Sequence, residues 1–174
     1  MFIGKPLISE EQIQRRVREL ALKISKDYEK KDLVVLGILK GSFMFLSDLI
    51  RYIKSPLKVD FIIASSYIKD SSSGEVKIHY FPREELKGKD ILLVDDIIDT
   101  GISLQFIKEK ILEQQPSSLK ICVLLDKRDR RIIDVAVDYI GFSVPNKFIV
   151  GYGLDYQEMF RNIPYITIFK KEVS

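Results

Sequence analysis

An α/β fold with a largely parallel sheet is the architecture that the sequence predicts. Near-continuous aliphatic runs at 33–39, 91–94 and 119–125 have the pattern of strands covered on both faces. Between them lie segments whose apolar residues recur at helical spacing. Ligands in such sheets gather beyond the carboxyl ends of the strands, which directs attention to the residues after Leu39, Val94 and Leu125.

From Ser9 onward, Ile13, Val17, Leu20, Ala21 and Ile24 trace one helical face, and Ser9 with Glu10 and Glu11 behind it suits the helix start. The strand at 33–39 leads to a helix over 43–53 that ends before Pro56. Leu57, Val59, Phe61 and Ile63 alternate, as do Val76, Ile78 and Tyr80, so both segments are expected strands. The small polar residues Asp70, Ser71, Ser72, Ser73 and Gly74 between them suit a mobile loop or a plain hairpin connection. Lys87-Gly88-Lys89 turns the chain into the strand at 91–94. A helix is expected at 103–114, closed by Pro116, and then the strand at 119–125. Shorter strands are expected at 135–140, near 148–150 and at 165–169.

A chain of 174 residues suits one medium domain. With 46% apolar and 30% charged residues it has a globular and not a disordered composition. A net charge of +3 argues against a dedicated nucleic-acid surface. One cysteine excludes a disulfide framework and a multi-cysteine zinc site, and one histidine excludes a two-histidine metal motif. Cys122, inside an aliphatic run, is expected to be a small buried hydrophobe. His79, between Ile78 and Tyr80, is expected to be structural or solvent-facing. The sequence has no apolar run of membrane-spanning length and does not open with a secretory leader, so no membrane is expected and the cytoplasm is the expected compartment.

The chemistry concentrates after Val94, in Asp95-Asp96-Ile97-Ile98-Asp99-Thr100-Gly101-Ile102-Ser103. Adjacent carboxylates at a strand end repel each other unless a cation or hydroxyl donors use them. A sugar diol and a hydrated Mg²⁺ are both suitable partners. Thr100, Gly101 and Ser103 add hydroxyls and free backbone N–H groups at a helix mouth, the makings of a phosphate cradle. An ordinary acidic helix start would account for one carboxylate but not for three. Neither a Walker loop nor a Gly-x-Gly-x-x-Gly fingerprint is present.

This segment resembles the phosphoribosyl-diphosphate (PRPP) binding motif of the type I phosphoribosyltransferases, nearest to the hypoxanthine-guanine phosphoribosyltransferases. Three further segments fit in the expected order, so the resemblance covers nearly the whole chain. It implies a single domain over 1–174 with the type I phosphoribosyltransferase fold: a mostly parallel sheet flanked by helices, and a small hood built from the N-terminal segment and roughly 145–174. Lys40-Gly41 matches the family's pyrophosphate loop, which carries a cis peptide between the residues matching Leu39 and Lys40. Ser66-Tyr67 matches the mobile lid. The resemblance implies that Asp95, Asp96, Asp99, Thr100, Gly101, Ile102 and Ser103 hold PRPP and that Asp99 is the catalytic base. Lys127 matches the donor to the 6-oxo group of the base, Phe148 the stacking aromatic, and the Ile149 backbone the partner of the ring edge. Asp155 matches a residue near a second Mg²⁺, and Arg161 one that meets the diphosphate. Mg²⁺ held by Asp95, Asp96 and Asp155 is the implied cofactor. Hypoxanthine or guanine, IMP or GMP, and pyrophosphate are the implied partners, in a homodimer or homotetramer.

The chain departs from the family's usual residues at Asp95, often Glu, at Ile102, often basic, and at Asn146, often Asp. Arg130 is expected to be a solvated surface residue. A PRPP-binding regulator on the same fold would show a basic face or lack the base-recognition residues. A related transferase acting on another base, such as xanthine or a pyrimidine, is the other alternative; the Lys127/Phe148 pairing favours a 6-oxopurine.

Overall fold

The computed structural model describes residues 2–67 and 75–170. The elements run β1 (Phe2–Ile8), α1 (Glu10–Asp27), β2 (Leu33–Leu39), α2 (Phe43–Tyr52), β3 (Leu57–Tyr67), β4 (Glu75–Tyr80), β5 (Asp90–Ile98), α3 (Ile102–Leu112), β6 (Ser118–Asp126), a 3-10 turn (Arg128–Arg130), β7 (Tyr139–Ser143), β8 (Ile149–Val150) and β9 (Ile166–Lys170). Among the described residues they build two sheets. The larger has the order β4-β3-β2-β5-β6-β7, and the smaller β1-β9-β8. Within the larger sheet β3, β2, β5, β6 and β7 run parallel, and only the edge strand β4 is antiparallel.

Side-chain alternation explains why the central strands are aliphatic throughout. Val35 of β2, Leu92 and Val94 of β5, and Cys122 and Leu124 of β6 join α1 and α2 in one core. Val34, Leu36, Ile91, Leu93, Ile121 and Val123 point the other way and pack with Leu104, Ile107 and Ile111 of α3. The middle of each run is therefore buried on one face or the other, with Ile38, Leu39 and Leu119 at the strand ends only half-buried. The five apolar positions of α1 are buried as its spacing requires. Ser9 caps the helix by accepting from the Gln12 N–H while the Gln12 side chain accepts from the Ser9 N–H, a capping box worth about 1 kcal/mol.

Three elements differ from expectation. β5 does not stop at Val94; its pairing with β6 continues to Ile98↔Asp126, so Asp95 and Asp96 lie within the strand. The ladder partner sets this end, not the loss of hydrophobicity. The strand expected at 135–140 is displaced to Tyr139–Ser143, because β7 registers Tyr139 against Cys122 of β6. Val135 is still buried, but in a loop. β1, not foreseen as a strand, pairs antiparallel with β9.

The small sheet brings β1 beside β9, from opposite ends of the described residues. Its core residues Ile8, Ile149, Tyr152, Leu154 and Ile166 belong to the same apolar cluster as α1 and α2. The loop after β2 meets the segment that follows β8, where Gly153 lies against the Gly41 carbonyl.

Candidate active site

The loop after β2 begins with a cis peptide between Leu39 and Lys40. Ser42 Oγ donates to the carbonyl of Ile38 at 2.6 Å and folds the loop back onto its strand. Gly41 lies against the carboxylate of Asp96 so closely that a β-carbon there would collide with it. Lys40 is exposed, its Nζ 3.1 Å from Glu158 Oε2.

Asp95 and Asp96 are neighbours within β5, both half-buried. Burial pushes the Asp95 carboxyl well above the usual carboxylate range, and the neighbouring Asp96 charge adds to the rise. Burial also raises Asp96, against the counter-effects of hydrogen bonding from the Asp95 side and of the Arg161 guanidinium. Such a pair holds more negative charge than its surroundings neutralise, and its donor set is all oxygen. Both properties fit a hard, hydrated Mg²⁺, which takes one or two carboxylates and shares its other positions with phosphate and water. Asp155 differs: its Oδ1 holds Arg161 Nη2 at 2.8 Å and its Oδ2 accepts the Glu158 N–H at 2.8 Å.

Beyond Ile98 the chain turns through Asp99, Thr100 and Gly101 into α3, with Gly101 in the left-handed region as N-cap. The 131–133 segment buttresses this turn. The N–H groups of Ile132 and Ile133 both donate to the Thr100 carbonyl, at 2.9 and 3.0 Å, and Arg131 Nε donates to the Asp99 carbonyl at 3.2 Å. Arg131 also holds the buried carboxylate of Asp126. The Lys127 N–H donates to the Ile98 carbonyl at 3.1 Å, joining the ends of β5 and β6. Lys127 is only 7% exposed, and its ammonium group lies 3.7 Å from Asp99 Oδ2. Arg130 is exposed, as expected of a surface residue, and its Nε also reaches within 3.3 Å of Asp99 Oδ1. That oxygen is buried and accepts no hydrogen bond.

The small sheet supplies the opposite wall. Ile149 is buried in β8, whereas Phe148 is 53% exposed, which excludes the plain core role its type would suggest. Its ring meets Tyr156 edge-on at 5.6 Å, and Tyr156 stacks on Phe169 at 4.3 Å. Arg161 Nη1 donates to the Gly153 carbonyl at 2.7 Å, while its Nε is buried without a partner.

The profile of the phosphoribosyl transferase domain matches residues 8–157. The chain belongs to this phosphoribosyltransferase family. The hypoxanthine-guanine phosphoribosyltransferase of Lactococcus lactis is 48% identical over 98% of this chain and 93% of its own length. That of Bacillus subtilis is 44% identical over 98% and 96%. A crystal structure of a hypoxanthine phosphoribosyltransferase from Staphylococcus aureus superposes with a TM-score of 0.93 at 44% identity, covering 97% of this chain and 92% of the other. The fold is thus the type I phosphoribosyltransferase fold, a mostly parallel sheet flanked by helices.

Within this phosphoribosyltransferase site, the structure brings Gly41, Asp96, Asp155 and Arg161 to one side, and Asp99 and Lys127 to the other. Thr100, Gly101, Ile102 and Ser103 form the mouth of α3. Ser66 and Tyr67 close β3, their backbones paired with Val76 and Glu75. The loop expected at 70–74 lies outside the described residues. The supporting roles of Arg130, Arg131 and Glu158 were not foreseen. The Arg-rich run 128–131 was the available signal for the first two, but nothing in it tells a buried guanidinium from a solvated one. His79 is exposed beside Ser65, and Cys122 is fully buried.

Proposed function

We propose that this phosphoribosyltransferase moves the 5-phosphoribosyl group of PRPP to N9 of hypoxanthine or guanine, giving IMP or GMP and pyrophosphate. The observation that carries the reading is the approach of the Lys127 ammonium to within 3.7 Å of Asp99, which joins the acidic turn to the base-binding segment. An ammonium beside a carboxylate suits an oxopurine, which presents an acceptor oxygen and a ring N–H.

In the reaction the C1–diphosphate oxygen bond breaks as the N9–C1 bond forms, with positive charge building on the ribose. Lys127 donates to the 6-oxo group, and Asp99 takes the proton that the purine ring gives up. The unsatisfied Asp99 Oδ1 has the free lone pairs this needs. Asp95 and Asp96 accept the ribose hydroxyls, while Thr100, Gly101, Ile102 and Ser103 cradle the 5-phosphate. Lys40, Gly41 and Arg161 receive the diphosphate, and the partnerless Arg161 Nε leaves a donor for it. Phe148 stacks on the purine and the Ile149 backbone reads its edge. Ser66 and Tyr67 belong to the lid that excludes water. Asp95, Asp96 and Asp155 would hold a Mg²⁺, which would supply positive charge to the leaving diphosphate.

The chain acts as one catalytic domain. Its single cysteine, a buried thiol, fits the reducing cytoplasm. The exposed apolar side chains Val59, Phe61 and Ile63 along β3 support a homodimer or homotetramer. The test is ultraviolet absorbance after mixing the protein with PRPP, Mg²⁺ and each of hypoxanthine, guanine, xanthine and a pyrimidine. Turnover of the first two supports the reading. Turnover confined to xanthine or a pyrimidine reassigns the base, and no turnover of any overturns it.

A further inference from the structure

We propose that Asp48 is a positioning residue for the diphosphate side of the site, acting through the hydroxyl of Tyr152. The inference rests on the function proposed above, and it concerns a residue that touches no substrate.

Asp48 lies on α2, the helix that begins directly after the Lys40-Gly41 loop. Its Oδ2 accepts two hydrogen bonds, from the Tyr152 hydroxyl at 2.6 Å and from Gln14 Nε2 of α1 at 2.7 Å. Gln14 thereby fixes the carboxylate from the side away from the small sheet. Arg51, one turn further along α2, stands 4.0 Å from the other oxygen.

Tyr152 is the middle of three consecutive residues with positive φ, Gly151 at 98°, Tyr152 at 49° and Gly153 at 101°. A tyrosine rarely adopts that conformation, so the surroundings must hold it. The Tyr152 N–H donates to the Ile163 carbonyl at 2.7 Å, and the ring is buried. The next residue carries the consequence. Gly153 N–H donates to the Arg161 carbonyl at 3.0 Å, and its own carbonyl accepts from Arg161 Nη1 at 2.7 Å. Gly153 also seats directly on the Gly41 carbonyl, where a β-carbon would overlap it.

The turn is therefore attached twice to the same rigid unit. One attachment is Gly153 on the loop that leads into α2, and the other is Tyr152 on Asp48 within α2. A single contact would let the turn rock about it, whereas two fix its orientation, and with it the direction of Arg161. Packing of the Tyr152 ring alone does not need the hydroxyl, because phenylalanine would fill the same volume. The hydroxyl adds direction.

The test uses steady-state kinetics of the full chain with PRPP, Mg²⁺ and hypoxanthine, alongside inhibition by pyrophosphate. Removing one buried, charge-assisted hydrogen bond in Tyr152→Phe should raise KM for PRPP and Ki for pyrophosphate by about tenfold. The KM for hypoxanthine should stay near the native value. Asp48→Leu should match Tyr152→Phe, and the double variant should be no worse than either alone. Asp48→Asn retains an acceptor oxygen and a similar shape, and should recover most of the PRPP affinity. Native turnover combined with an unchanged KM for PRPP in Tyr152→Phe overturns the proposal. So does an equal rise in both KM values with a lowered melting temperature, which marks general loosening. Absence of turnover in the native chain would instead strike the functional reading, and is seen before any variant is made.

Discussion

Gly153 and Gly41 meet backbone to backbone, with no space for a side chain on Gly153 facing the Gly41 carbonyl. Gly41 presses in the same way on the carboxylate of Asp96. The 151–153 turn, the loop after β2 and the carboxylate of Asp96 are thus stacked in direct contact. Gly41→Ala should displace the Asp96 side chain and raise KM for PRPP by about tenfold or more, since a lost charge-assisted contact has that weight. Calorimetric titration with PRPP and Mg²⁺ checks it, and native affinity in the variant would mean that Asp96 does not contact the donor.

Asp99→Asn keeps the shape of the turn but removes the proposed proton acceptor. The expected outcome is a fall in kcat of about 10²–10⁴-fold, the usual weight of a positioned base, with PRPP affinity little changed. Unaltered turnover would take Asp99 out of the mechanism.

Asp95 is held in a place that does not suit its charge, and stability should show it. A carboxyl whose pKa rises on folding is more tightly protonated in the folded state, so stability declines as pH rises from the ordinary carboxylate range through the folded value. The cost grows as pH rises above the ordinary carboxylate range. Asp95→Asn should therefore melt about 2–4 °C higher at pH 7, the shift expected for about 1 kcal/mol in a chain of this size, while losing PRPP binding. The gain should vanish at pH 3. A lower melting temperature at pH 7 would show that the carboxylate is stabilising.

Asp27 behaves in the opposite way. Its Oδ2 accepts from the Tyr139 hydroxyl at 2.6 Å and from Lys120 Nζ at 2.9 Å, and these bonds hold its carboxyl below the ordinary range. The stability it contributes is complete above that range and is lost as pH falls through the lowered folded value. Asp27→Ala should cost about 1–2 kcal/mol at pH 7 and progressively less on acidification. Urea denaturation of both proteins at pH 7 and pH 3 measures the difference. An equal loss at both values would assign the effect to packing and not to charge.

The central strands could be read directly because Leu33–Leu39 and Ile91 through Val94 are aliphatic on both faces, and a sheet covered on both sides requires that. The same logic misplaced the end of β5, since Asp95 and Asp96 resemble a turn in composition while their backbone follows β6. β1 escaped notice because Lys5, Pro6 and Leu7 are exposed and its ladder partner β9 lies at the far end of the chain. No local pattern encodes a pairing of that separation. The acidic residues 95, 96 and 99 announced themselves as an unusual cluster, and Lys127 followed from the resemblance. The burial of Arg131, the reach of Arg130 to Asp99 and the tether of Tyr152 to Asp48 depend on side chains brought together from different elements, and only the folded chain reveals them.

Pairing of β1 with β9 also sets an order of events at the ribosome. β1 is made long before β9 and has to wait, unpaired, until Ile166–Lys170 has been synthesised. Every strand of the large sheet is in the nascent polypeptide before that moment. A product terminated between Ser143 and Ile166 would therefore hold all six strands of the large sheet while β1 had no ladder partner.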